Sequence, residues 1–366
     1  MAGLGDNILG LAKLRRAKET LAANLAEPGR LKLIAPAGAN PGGLRMLTYV
    51  PAGLAAGAPL VVVLHGCTQN AAAYDHGAGW STLADRHGFA LLFPEQQRAN
   101  NANLCFNWFQ AADTTRGAGE VLSIRDMVTQ AIALYALDPA RVYVTGLSAG
   151  GGMTAALLAA YPDVFAGGAV IAGLPYGAAD GVQQAFEAMF QVRHRSAPEW
   201  GGLVRAASPH RGPWPQVQVW HGDADATVKP GNADELVKQW GDVHGVVQPP
   251  VTARVDGALH RAWREPSGRV VLESYRVPGL AHGTPLHTEA ADLDQSMGAA
   301  APHMLEAGIS STWHIARSWG LLTQAAQPRT AAAATLRPVV QAVAPIAARV
   351  GGMIEKALRS AGLSPG

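Results

Sequence analysis

Arg141-Val142-Tyr143-Val144-Thr145-Gly146-Leu147-Ser148-Ala149-Gly150-Gly151 is the stretch whose reading decides the fold. Its first five residues form a β-branched, largely apolar run. The Ala/Leu-rich segment from Gly151 to Tyr161 has the composition of a helix. Between them stands Gly-x-Ser-x-Gly. Strand, Gly-x-Ser-x-Gly, helix is the setting of a nucleophilic serine. The serine sits on a sharp turn that lifts its hydroxyl above the sheet, and the flanking glycines remove Cβ atoms that would clash there. The plain alternative is a tight strand-to-helix turn without chemistry.

Outward from this turn, strand signals recur at Arg45 to Val50, Leu60 to Leu64, Phe89 to Phe93 (ending at Pro94), Ala166 to Ile171 and Val217 to Trp220. A helix-like stretch runs from Ile124 to Leu137. Strands alternating with helices imply a mostly parallel central sheet with helices on both faces. Leu259 to Trp263 and Val270 to Tyr275 read as a hairpin joined through Pro266-Ser267-Gly268. Residues 174–215 fit the alternation poorly and read as an insertion over the active-site edge, with one helix near 181–192. The organisation expected is therefore a lead-in at 1–39 carrying an amphipathic helix over 4–25, a catalytic domain at 40–320, and an Ala/Pro-rich basic tail at 321–366. A short helix is expected in that tail from Ile346 to Leu363.

A hydrophobic fraction of 48% is ample for a core, and a formal net charge of +2 without a Lys/Arg block argues against nucleic-acid binding. The longest apolar stretches, near 49–65 and 151–174, are broken by Gly and Pro, so no membrane span is expected. The N-terminus does not read as a signal peptide. The expected location is the cytoplasm or a granule surface, with secretion as the alternative. Two cysteines and dispersed histidines form no metal-binding pattern, and no metal or cofactor is expected.

A serine hydroxyl needs a general base, and the base needs an orienting acid. The chain order Ser, acid, His is that of the α/β-hydrolases. After Ser148 comes His221-Gly222-Asp223-Ala224-Asp225, directly behind a strand signal. Asp225 is the expected acid and Asp223 the runner-up. Val277-Pro278-Gly279-Leu280-Ala281-His282-Gly283 then follows the last strand, so His282 is the expected base; His287 and His303 follow no strand signal. His282 is expected between Ser148 and Asp225. An oxyanion hole should combine the Ala149 N–H with one from the loop after Leu60 to Leu64, where Cys67 is the natural donor. His65, in the same loop, reads as a local hydrogen-bonding residue.

Five segments together resemble the polyhydroxybutyrate depolymerase family of esterases: His65-Gly66-Cys67-Thr68-Gln69, Cys105-Phe106-Asn107-Trp108-Phe109, the Ser148 turn, the Asp225 loop through Val228, and Ala281-His282-Gly283. The resemblance covers about residues 40–320. It implies a triad of Ser148, Asp225 and His282, an oxyanion hole at Cys67 and Ala149, and a substrate cleft lined by Trp108, Asn107 and Gln69. It also places Cys67 beside Cys105, where a disulfide is expected under oxidising conditions. The implied activity is hydrolysis of poly(3-hydroxybutyrate) or 3-hydroxyalkanoate oligomers through an acyl-enzyme, with a polymer granule surface as a partner. Feruloyl or acetylxylan-type ester hydrolysis is the second reading. A granule- or lipid-surface binding protein with a vestigial triad is the third. The His282 loop departs from the His-Ala-Trp-Pro-Gly of many relatives, and the resemblance reveals no separate polymer-binding domain. Both departures point toward amorphous polymer or short oligomers.

Overall fold

A computed structural model describes residues 29–322 of the chain. The amphipathic segment expected at 4–25 and the helix expected at 346–363 lie outside the described residues. The main sheet contains β1 (Lys32–Ile34), β2 (Arg45–Tyr49), β3 (Leu60–Leu64), β4 (Ala90–Glu95), β5 (Val142–Leu147), β6 (Gly167–Ile171), β7 (Gln216–Gly222), β8 (Val251–Val255), β9 (Ala258–Arg264) and β10 (Val270–Val277). Their order is β1-β2-β4-β3-β5-β6-β7-β10-β9-β8. The six central strands, β4 to β10 in that order, are parallel, and antiparallel pairs close both edges. Mid-sheet register runs Val62 to Val144 to Gly168 to Val217.

Every residue of β3 is buried, because helices cover both faces. Leu60, Val62 and Leu64 face one apolar cluster together with Leu157 and Trp240. Val61 and Val63 face the other, with Trp80 and Ile315. This alternation is the strand's period of two seen from both sides at once. On the first face lie α4 (Gly119–Tyr135), α5 (Ala149–Ala160) and α8 (Gly231–Val243). On the second lie α1 (Ala71–Ala78), α2 (Trp80–His87) and α9 (Ser311–Ser318). The remaining helices are α3 (Ala111–Thr114), α6 (Val182–Gln191) and α7 (Ala197–Ala206). The fold is that of an α/β-hydrolase. Among the described residues, no helix is long and apolar enough to cross a membrane.

Four details differ from the sequence reading. β4 runs through Pro94 to Glu95; its ladder with β3 ends at Leu92, and the extension is paired with β2, where a residue lacking an N–H is tolerated. The insertion holds a second helix, α7, whose Pro198 occupies the first turn, where no intrahelical N–H bond is lost. Glu199 accepts the Ser196 N–H at 2.8 Å and closes that helix start. α4 begins at Gly119, five residues before the expected start. β8 and β1 carry short or exposed patterns that give no strand signal, and β1 joins the sheet from within the segment read as a lead-in.

α5 is buried along its whole length and packs closely on β6. A Cβ at Gly168 would lie 2.6 Å from Leu158 Cδ1. Leu158→Ala should cost about 2–5 kcal/mol. Gly168→Ala should then cost less in that background than alone, with a coupling of at least ~0.5 kcal/mol. Urea unfolding of the four proteins measures this, and strict additivity would contradict the packing.

Candidate active site

Because β3, β5, β7 and β10 are parallel, the loops leaving their C-terminal ends meet at one edge of the sheet. Those loops carry Cys67, Ser148, Asp225 and His282 respectively. Ser148 has φ 57° and ψ −115°, a strained backbone for a residue with a side chain. Its N–H donates to the Ile171 carbonyl at 2.9 Å, and its own carbonyl accepts from Gly152 at 2.9 Å. The turn is pressed against β3 so closely that a Cβ at Gly150 would lie 2.4 Å from the Leu64 carbonyl oxygen. The glycines thus permit the crossing of two chains as well as the turn.

Asp225 is buried. Its Oδ1 accepts the N–H groups of Thr227 and Val228 at 2.8 and 2.9 Å, and its Oδ2 accepts His282 Nδ1–H at 2.7 Å. Burial by itself would raise this carboxyl. The hydrogen bonds from His221 and His282, with the backbone donors, instead hold it well below the usual carboxylate range. An ionised Asp225 only accepts, so the proton of His282 sits on Nδ1 and Nε2 is left as a base. His221, quoted in the sequence motif but given no role, is a second support. Its buried Nε2–H points at the Val228 carbonyl, 2.8 Å, and lies 3.3 Å from Asp225 Oδ2. Asp223 is exposed and accepts the Gly279 N–H at 2.6 Å, bracing the loop that presents His282. His303 donates from Nδ1 to the His282 carbonyl at 3.1 Å. Among the described residues, no hydrogen bond joins Ser148 to His282, a looseness common before substrate binds.

Among the described residues, the backbone N–H groups of Cys67 and Ala149 have no protein acceptor. Two uncommitted donors beside a nucleophile are what a developing oxyanion requires. The Cys67 loop is held from several sides. Gln69 Oε1 accepts the Gly66 N–H at 2.9 Å, Thr68 N–H donates to the Asn103 carbonyl at 2.7 Å, and Cys67 is disulfide-bonded to Cys105. His65 accepts the Gln96 N–H on Nε2 and donates from Nδ1 to Gly66, and burial pushes its imidazole below the ordinary value.

Two residues expected to line the cleft are turned to the protein instead. Gln69 spends its carboxamide on its own loop and on the Pro302 carbonyl. Asn107 accepts from Asn101 at 3.0 Å and donates to Glu120 at 3.0 Å. Both are nearly buried, so they brace the site. Trp108 is also mostly buried. It packs edge-on to Phe109 in an apolar cluster that includes Ala149, Leu174 and Val228, so it does border the nucleophile. A Cβ at Gly152 would lie 2.7 Å from Trp108 Cγ, which explains the third consecutive glycine after Ala149. Among the described residues, no cluster of His, Cys, Asp or Glu is arranged to hold a metal ion.

Residues 44–262 match the esterase PHB depolymerase family. The chain is 44% identical over 287 residues to poly(3-hydroxyalkanoate) depolymerase C of Paucimonas lemoignei, covering 78% of this chain and 69% of that protein. It is 36% identical to feruloyl esterase B of Thermothelomyces thermophilus, covering 71% and 87%. The solved acetyl xylan esterase of Aspergillus awamori superposes with a TM-score of 0.64 at 28% identity, covering 69% of this chain and 93% of that one.

Glu120, like His221, is a residue that sequence reasoning missed. It is fully buried at the start of α4 and accepts the backbone and side-chain N–H groups of Asn107 and the Gln96 amide. Its only sequence signal is a charge beside the apolar spacing Val121, Ile124, Val128. Burial pushes its carboxyl up to about 8, against the hydrogen bonds that favour the ion. Between its ordinary value and about 8, the unfolded chain carries the charge and the folded chain resists it. Glu120 therefore contributes most to stability at low pH, and that contribution is lost as pH rises through about 8. Glu120→Gln cannot ionise. The stability of the native protein relative to this variant should decline across pH 4.5–8, by up to ~1.4 kcal/mol per pH unit. Thermal or urea unfolding across that range measures it, and a constant difference would contradict the assignment.

Proposed function

This chain belongs to the esterase PHB depolymerase family of carboxylic ester hydrolases, and on that premise we propose that it cleaves 3-hydroxyalkanoate esters, as polymer or oligomers, through a Ser148 acyl-enzyme. The observation that carries the mechanism is the 2.7 Å bond between His282 Nδ1 and an ionised Asp225 on the loops flanking the Ser148 turn. His282 Nε2 takes the Ser148 proton as Oγ attacks the ester carbonyl. The N–H groups of Cys67 and Ala149 receive the oxyanion. The protonated imidazole then gives its proton to the departing alkoxide, leaving the acyl group on Ser148. Water, deprotonated by the same imidazole, releases the hydroxy acid.

The polyester reading rests on the 44% identity to the Paucimonas lemoignei depolymerase and on the apolar character of the Trp108–Phe109 wall, which suits a chain of methyl groups and uncharged esters. Similarity to feruloyl and acetylxylan esterases supports the second reading less strongly. The bonded cysteine pair favours an oxidising compartment, so it supports the secreted alternative over the cytoplasm.

Ser148→Ala should lower kcat on a chromogenic short-chain ester by about 10⁴-fold or more. Asp225→Asn should cost about 10³-fold or more and Asp223→Asn less than about tenfold. The reverse ranking of the two aspartates would identify the other carboxylate as the acid. An active Ser148→Ala enzyme would remove the triad altogether.

For the substrate, kcat/KM on 3-hydroxybutyrate oligomers should exceed that on methyl ferulate and on acetylated xylan by at least about tenfold, since only the oligomer matches an uncharged apolar wall. A preference for either plant ester would move the enzyme to the second reading. Full binding to polymer without turnover of any ester would establish the third.

A further inference from the structure

α6 is an amphipathic helix whose apolar face is only half covered. Ala185 and Ala188 are buried against the cluster that contains Trp108, Phe109 and Ala149. Val182, Phe186 and Phe190, spaced four apart along one line of the helix, are 58%, 54% and 48% exposed. The two phenylalanine rings lie parallel, 3° apart in tilt, with centroids at 6.3 Å. Elsewhere among the described residues, the exposed large apolar side chains fall on other elements and form no such row. A single exposed apolar residue needs no explanation, but an aligned row next to a catalytic cleft does.

The position of the row follows from hydrogen bonds at both ends of the helix. Before its first turn, Gly181 N–H donates to the Phe109 carbonyl at 2.7 Å, tying it to the aromatic wall. At its last turn, the Met189 carbonyl accepts from Lys229 N–H at 2.9 Å and the Ala188 carbonyl accepts from Asn232 at 3.0 Å. Lys229 directly follows the loop that wraps Asp225. The helix therefore spans from the aromatic wall to the acid loop, at the same edge of the sheet as Ser148. Glu187 is its only charged side chain.

We infer that Val182, Phe186 and Phe190 form an adsorption surface for solid hydroxyalkanoate polyester, continuous with the cleft that cleaves it; this inference rests on the polyester reading above. The occupant follows from chemistry and from continuity. A partner covering this row must be apolar and uncharged, and it must reach the cleft mouth. A polymer surface feeding a chain end or loop toward Ser148 meets all three conditions. Burial of flat aromatic rings supplies contact area at small entropic cost, and Val182, Phe186 and Phe190 themselves carry no charge with which to pair an ionic surface.

The test uses the full chain. Adsorption to amorphous poly(3-hydroxybutyrate) is measured by depletion in the Ser148→Ala background, so that the polymer is not consumed. Phe186→Gln with Phe190→Gln keeps good helix formers at both positions and should weaken adsorption at least about tenfold. With Ser148 intact, the same pair should leave kcat/KM on a soluble two-carbon chromogenic ester within about twofold, which also shows that the protein is folded. Phe186→Leu with Phe190→Leu should retain most of the adsorption. An unchanged isotherm for the Gln pair, with the native enzyme degrading polyester, overturns this inference alone. A native protein that hydrolyses soluble esters but neither binds nor degrades polyester overturns the substrate reading and this inference together. Sedimentation showing a native dimer that the Gln pair converts to monomer would mean that a second copy covers the row, and would also overturn the proposal.

Discussion

The backbone of Ser148 is the constraint on which the rest of the site depends. A non-glycine residue at φ 57° costs on the order of 1–3 kcal/mol and persists only where its surroundings over-determine it. Here they do. The Ser148 N–H is held by the Ile171 carbonyl at the end of β6, and Gly150 is clamped against the end of β3. The turn is thus fixed by the strands on either side of β5, deep in a sheet whose two faces are both buried. That rigidity leaves the Ala149 N–H directed away from any protein acceptor. It also sets where the other three loops must bring their groups.

The loops that meet Ser148 are stiffened by polar contacts rather than by regular structure. Asp225 accepts three hydrogen bonds, two from backbone and one from His282, and the His221 imidazole lies 3.3 Å from its Oδ2, so its loop and its charge are held together. The Cys67 loop is tied to the aromatic segment three times, through the disulfide, through Thr68 and Asn103, and through the chain His65, Gln96, Glu120 and Asn107. Oxyanion stabilisation needs donors that do not have to reorganise as charge develops, and such bracing provides them. Glu120 is the costly member of this set: a carboxyl kept almost entirely from water so that one end of the aromatic wall cannot drift. The insertion is fixed in the same manner, since buried Glu235 on α8 accepts from Trp200 and His194.

Much of this was legible in the sequence because it is local. A strand, a glycine-flanked serine and a helix are written within twenty residues, and the order Ser148, Asp225, His282 along the chain carries the topology. The strands of the parallel core announce themselves as continuous apolar runs because they are buried on both faces. What could not be read is what depends on contacts distant in sequence. Glu120 looks like an ordinary helix-start glutamate until Asn107 and Gln96 fold over it. Gln69 and Asn107 look like polar residues for a substrate, yet Gln69 turns back on Gly66 in its own loop and Asn107 is drawn to Asn101 and to Glu120, which the folding of α4 buries beside it. α7 was hidden by Pro198, which breaks a helix in most positions but not in the first turn. The exposed row on α6 reads as an ordinary amphipathic pattern, and only its burial on one half distinguishes surface from core.

A crystal structure of the enzyme inactivated by a small alkyl phosphonate tests the central claim most directly, because the tetrahedral phosphorus mimics the intermediate at the reacting atom. The account expects a bond from Ser148 Oγ to phosphorus and the phosphoryl oxygen within about 2.7–3.1 Å of both the Cys67 and Ala149 nitrogens, with His282 Nε2 facing the serine or leaving-group oxygen. A phosphoryl oxygen directed to solvent, or an adduct on any residue other than Ser148, would contradict it.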